Sequence, residues 1–221
     1  MCSSERQPLL GAATTTHGRV VVRAPSHAGP WPALVGFHGY AEDAETHLQA
    51  LEGIPGGDRC LRVAVQALHP FYTKSQRVVA NWMTSQDREH AIADNIAYVG
   101  RVLDWMRREY AVSSTLVFAG FSQGGAMAYR AAASYPCRGL LILAADVPPD
   151  VARRPGVSLP PILLGRGSND EWYTAEKHAA DLATLASVHA TVENCVFDGG
   201  HEWGQAFLAA AARFLATRIQ G

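Results

Sequence analysis

The stretch LVFAGFSQGGAMAY, residues 116–129, limits the folds open to this chain more than any other. An apolar run ends at Gly120, one hydroxyl stands at Ser122, and Gly124 and Gly125 lead into small residues of helical character. Gly120-Phe121-Ser122-Gln123-Gly124 fits G-x-S-x-G, which requires a sharp turn from a strand into a helix. Such a turn lifts the serine above the C-terminal edge of a sheet and strains its backbone. Side chains two residues to either side would collide, so glycine is needed at both places. The start of the helix then points free N–H groups at the serine, where they favour a developing oxyanion. The pattern alone is weak in a chain with 20 glycines, since a tight turn with an inert serine also satisfies it. Its weight comes from where it falls.

Around it, apolar segments at 19–25, 33–39, 60–68, 115–121, 139–145, 161–167 and 190–197 read as strands. Helical patterns alternate with them at 44–53, 88–110, 124–134, 174–187 and 203–218. In the longest, Ile92, Ile96, Val99, Leu103 and Met106 recur three or four apart and share one face. Strands apolar on both faces that alternate with helices predict a mostly parallel central sheet with helices on both faces, an α/β class. The aromatic segment 69–83 reads as an irregular loop, residues 1–16 as a loose tail, and 17–221 as a single domain. The serine therefore sits at a strand–helix junction, the setting the pattern demands.

Nineteen basic and 20 acidic side chains leave a formal charge of -1, and the longest basic runs are pairs. No field favours nucleic acid or anionic lipid, and no apolar run is long enough to span a bilayer. The N-terminus lacks the charged and apolar regions of a secretory leader. Cys2, Cys60, Cys137 and Cys195 lie far apart, which suits reduced thiols in a cytoplasmic protein rather than a disulfide framework or zinc site. There is no G-x-x-x-x-G-K-[ST], and Asp170 stands where the third glycine of a dinucleotide motif would be in GRGSND. HEWGQ, residues 201–205, places glutamine where a metallohydrolase needs its second histidine. No metal and no cofactor is implied.

A serine hydroxyl needs a base, and the base needs a carboxylate behind it. With this elbow the chain order is Ser, then acid, then His. Of the three later histidines, His178 and His189 lie in or just after a helical pattern and read as solvated. His201 sits on a glycine-rich loop, FDGGHEWG, after the last strand, and is the candidate base. Asp170, in the loop after the penultimate strand, is the favoured acid over Glu171, Asp146 and Asp198. The oxyanion needs two backbone donors: Gln123, after the serine, and a residue of FHGYAED, for which Tyr40 is the choice. His38 reads as a structural hydrogen-bonder.

Taken in this order, FHGY, GFSQGG, the loop GRGSNDEW and GGHEW resemble the small bacterial branch of the phospholipase/carboxylesterase family, akin to acyl-protein thioesterases within the α/β-hydrolase superfamily. The resemblance runs from about residue 30 to the C-terminus. It implies Ser122 as nucleophile, Asp170 as acid, His201 as base, and Gln123 with Tyr40 as oxyanion hole. Two places depart from the better-known thioesterases: HGYAE replaces H-G-L-G-D, and GSND replaces H-G-x-x-D. The segment 146–160 is too short for a helical lid. Pocket walls are expected from Phe71, Trp82, Met83, Trp172 and Trp203, with Arg166 or Lys74 available to an anionic substrate group. The expected activity is hydrolysis of small-molecule esters or thioesters by a monomer or homodimer. The alternatives are an inert binding protein on the same fold, or a small serine peptidase; the latter would need a cap or propeller domain to shape its site.

Overall fold

The computed structural model describes residues 12–219. Along the chain, β1 (Val20–Arg23) and β2 (Trp31–Phe37) precede α1 (Ala44–Glu52) and β3 (Leu61–Val65). A hairpin follows, β4 (His69–Tyr72) and β5 (Val78–Asn81), then α2 (Arg88–Glu109), β6 (Val112–Phe121) and α3 (Gln123–Ala132). The chain closes with β7 (Gly139–Leu143), one-turn α4 (Pro149–Ala152), β8 (Ile162–Gly167), α5 (Ala175–Ser187), β9 (Val192–Phe197) and α6 (Gln205–Ile219).

Seven strands form one sheet in the order β1-β3-β2-β6-β7-β8-β9. Every neighbouring pair is parallel except β1 with β3. Side chains on β6 alternate between the two faces, as a pleated strand requires. Leu116 and Phe118 enter a core shared with Val99, Leu103 and Met106 of α2 and Met127 of α3, whereas Val117 and Ala119 meet Phe207, Ala211 and Phe214 of α6. Leu51 of α1 joins the second core. The sheet is thus covered on both sides, which is why its central strands carry no polar face.

The expected loop 69–83 is instead partly the β4–β5 hairpin, which pairs only with itself. It eludes periodicity because β4 is mostly exposed while Val79, Ala80 and Asn81 of β5 are buried in succession, so neither strand alternates. An isolated bridge between Glu42 and Ala80 fastens it beside the loop after β2. The expected tail lies outside the described residues up to residue 11, as does Cys2; residues 12–16 form no regular element. The parallel strands run the same way, so the loops after β2, β6, β7, β8 and β9 gather at one sheet edge, where ligands of open α/β sheets bind.

Candidate active site

At the end of β6 the chain must reverse within one residue to start α3. Ser122 does this at φ 52 and ψ -124, a conformation that costs a non-glycine residue about 1–3 kcal/mol. Its N–H donates to Leu143 O (2.9 Å), and its carbonyl accepts from Gly125 N–H (2.9 Å). Gly120 and Gly124 make the bend possible. A Cβ on Gly120 would press on Gly124 O and Gly125 Cα, and one on Gly124 would enter the carbonyl oxygens of Phe37 and His38.

Opposite the elbow, the loops after β8 and β9 meet. His201 Nδ1 lies 2.8 Å from Asp170 Oδ2. The other carboxylate oxygen, Oδ1, accepts from the N–H groups of Trp172 (2.8 Å) and Tyr173 (2.9 Å). Three donors therefore converge on Asp170, whose side chain is fully buried while that of His201 is 24% exposed. Phe121 packs against the imidazole at 4.8 Å between ring centroids. With Nδ1 turned to the carboxylate, Nε2 is the nitrogen left for a proton transfer. Ser122 and His201 line one cavity without a direct hydrogen bond between them; in resting sites such contacts commonly tighten only around substrate. Of the competing acids, Glu171 is exposed, Asp198 accepts from Asn169, and Asp146 lines the cavity.

Of the two expected oxyanion donors, Gln123 opens α3 directly after Ser122, while Tyr40 lies exposed in the loop after β2; among the described residues neither N–H meets a protein acceptor. The Gln123 side chain has a further job that sequence reading missed: it accepts from Trp82 N–H (2.9 Å) and donates to Met83 O (2.9 Å), tying the end of the hairpin to the elbow. His38 is indeed a structural group. Its Nε2 accepts from Ala67 N–H (3.0 Å), so Nδ1 carries the proton and donates to Gly39 O (2.7 Å). Burial pushes its pKa down, which keeps it neutral. Glu42 accepts from Gly39 N–H (2.7 Å) beside Tyr40, and burial pushes its carboxyl up.

A cavity of about 300 Å³ opens next to Ser122, between α3, the loop after β7 and the loop after β8. Of the five expected wall residues only Trp172 reaches it. Trp82 is fully buried, its indole N–H donating to His38 O (2.8 Å), because the hairpin presses it against Phe37 in the core. Met83 is likewise in the core. Phe71 packs on Tyr40 outside the cavity, and Trp203 is wedged between Phe121, His47 and Phe207. Arg166 is buried and spends its guanidinium on Gly167 O and Ser168 O, bracing the acid loop rather than facing substrate. Lys74 sits exposed in the hairpin turn. His178, expected on a solvated face, is buried against Tyr173.

Two groups near the site left no motif to find. Asp181 of α5 accepts from Tyr173 O–H (2.8 Å) and Val147 N–H (3.1 Å), linking the acid loop to the cavity wall, and burial pushes its carboxyl up. Arg130 of α3 lines the cavity; its place eight residues after Ser122, two turns along one helix face, is a signal visible in the sequence once the elbow is accepted. Among the described residues no cluster of His, Cys, Asp and Glu could hold a metal ion, and no helix is long and apolar enough to cross a membrane.

A family model described as phospholipase/carboxylesterase matches residues 77–219. No curated protein matches the chain. Among solved structures, a Bacillus cereus carboxylesterase superposes with a TM-score of 0.72 at 16% identity, over 91% of this chain and 94% of that one. An acyl-protein thioesterase 2 from Zea mays gives 0.70 at 17% identity, over 92% and 100%. A phospholipase/carboxylesterase from Dyadobacter fermentans gives 0.69 at 18% identity, over 93% and 100%. At such identities these likenesses describe the α/β-hydrolase fold of the chain.

Proposed function

Because the chain belongs to the phospholipase/carboxylesterase family, we propose that it is a serine hydrolase that cleaves carboxylic esters, and thioesters, of small or short-to-medium acyl groups through an acyl-enzyme on Ser122. The observation that carries this reading is the meeting of three elements at one cavity: a serine on a strained elbow, an imidazole, and a buried carboxylate 2.8 Å behind that imidazole.

In the first half-reaction Ser122 Oγ attacks the acyl carbon while His201 Nε2 takes the hydroxyl proton. The carbonyl electron pair moves onto oxygen, which the N–H groups of Gln123 and Tyr40 receive, and the positive end of α3 adds to that stabilisation. As the pair returns, the bond to the leaving alcohol or thiol breaks and His201 delivers its proton there. Water then repeats the sequence against the acyl-serine, giving the free acid and restoring the hydroxyl. Asp170 holds the imidazole in the needed tautomer and offsets its charge when protonated. Only the four-residue α4 lies between β7 and β8, so the site stays open, which suits soluble ester substrates. Cys60, Cys137 and Cys195 are free thiols, in keeping with a reducing cytoplasm.

The decisive experiment pairs turnover of p-nitrophenyl esters with labelling by a fluorophosphonate probe. The unaltered protein should hydrolyse and label; Ser122→Ala should lose the label and about 10⁴–10⁶ in kcat. An unlabelled protein, or a variant with the parent rate, would return the reading to an inert binding fold.

A further inference from the structure

The cavity beside Ser122 has a charge layout that ester cleavage does not require. Its floor is the face of α3 that carries Ser122, Ala126 and Arg130, residues four apart and therefore stacked along the helix. Arg130 begins about 12 Å from the serine at 1.5 Å rise per residue, and helical side chains lean back toward the N-terminus. Its guanidinium is carried part of the way back to the reacting centre.

That guanidinium is only 1% exposed. Asp150 holds it by two bonds, from Nε (2.8 Å) and Nη2 (2.7 Å). Nη1 turns to Met83 Sδ (3.7 Å) in the core, so Arg130 acts on the cavity through its charge rather than through a free donor. Arg88 lines the same cavity, and the Asp150 carboxylate lies in the field of both guanidiniums. Arg88 forms no ion pair among the described residues. It is also the first residue of α2, where the helix dipole disfavours a cation, and the cap residue Asp87 makes no side-chain capping bond. Asp87 and Glu89 flank it in sequence, but neither lines the cavity.

The other end of the cavity carries charges of both signs. Lys177 and Asp146 both line it, and Lys177 Nζ is committed to Trp172 O (2.8 Å). Arg88, Arg130 and Lys177 face the cavity against Asp146; with Asp150 bound to Arg130, the lining keeps one positive charge in excess, and Arg88 is the exposed cation without an ion pair among the described residues.

We infer that the acyl chain of the substrate ends in an anion: the substrate is a half-ester or half-thioester of a dicarboxylic acid, with its free carboxylate at the exposed guanidinium of Arg88, in the field of Arg130, and its ester carbonyl at Ser122. This rests on the serine-hydrolase reading. The acyl part is assigned to the cavity because it stays on the serine through both half-reactions, whereas the leaving group must depart past His201. A volume of about 300 Å³ is at the small end for ligand sites and suits a short chain.

The test compares two p-nitrophenyl esters of equal chain length, the monoester of adipic acid and the hexanoate, by kcat/KM at low and high salt. The acidic ester should be favoured by about tenfold or more, the scale of one charge-assisted hydrogen bond, and salt should erode the advantage. Arg88→Gln, an exposed change, should abolish the preference. Arg101→Gln, which removes the same charge from the outer part of α2, should keep it. Equal turnover of the two esters by the unaltered protein, or a preference that survives in Arg88→Gln, would overturn the inference while leaving the serine hydrolase in place. Failure to turn over either ester would overturn both.

Discussion

The elbow and the loops that face it place their functional atoms by opposite means. At Ser122 the position is set by backbone: a strained φ, two carbonyl oxygens of the neighbouring strand end pressed against Gly124, and main-chain bonds to Leu143 and Gly125. At His201 it is set by side chains: one bond to Asp170, one aromatic face on Phe121, and a ring partly open to solvent. The elbow tolerates no extra atom, whereas the loop of His201 has open space at Gly200, the residue just before the imidazole. The proposed roles fit this difference: a nucleophile has to stand at a fixed point for attack, while a base has to carry a proton from serine to leaving group, so rigidity suits the first and some play suits the second.

With Ser122 itself left in place, the largest expected effect strikes the side-chain joint. Asp170→Asn still presents an oxygen to the Trp172 and Tyr173 N–H groups, so the loop should keep its shape, but its amide cannot hold His201 in the right tautomer. The expected fall in kcat is about 10⁴, with a melting temperature near that of the parent. A rate close to the parent's would mean that Asp170 is not the acid.

Next comes the backbone side. Gly124→Ala should cost about 3 kcal/mol or more, because its methyl meets strand carbonyls that cannot move without disturbing β2. Denaturant unfolding measures this, and a loss under 1 kcal/mol would show that the elbow has more give than its packing indicates.

His47 sharpens the contrast from beneath the base loop. It is buried under Trp203 with both ring nitrogens unpartnered, and burial lowers its pKa to about 3 from 6.5. Between those values the unfolded chain binds the extra proton, so stability is lost as pH falls from 6.5 toward 3, by up to about 1.4 kcal/mol per pH unit. His47→Leu should stabilise the protein by about 1 kcal/mol near neutral pH and by more at pH 5; a gap that does not widen on acidification would contradict this.

The smallest effect is expected at the base loop itself. A Cβ on Gly200 meets nothing within 4 Å, so Gly200→Ala should stay within about 0.5 kcal/mol of the parent. Its difference from Gly124→Ala is the comparison in a single pair of measurements.

The elbow was legible in the sequence because its cause is local: Gly120, Ser122 and Gly124 act on one another across four residues, and the same short range makes strands and helices readable from periodicity. Five expected helices and seven expected strands occur, with shifted ends. The hairpin at 69–81 was not legible, since it buries no alternating face.

What the chain alone determined, then, is an alternating α/β architecture, a serine at a strand–helix bend, and the order of the acid and base candidates behind it. Only the tertiary structure decided that Asp170 rather than Glu171 or Asp198 meets His201, that Trp82 and Met83 fill the core instead of walling the cavity, and that Arg88 and Arg130 line one cavity with the serine. Those outcomes depend on the register of parallel strands and the packing of helices more than 30 residues apart, and contacts at that range leave no periodic or nearest-neighbour trace in the order of residues.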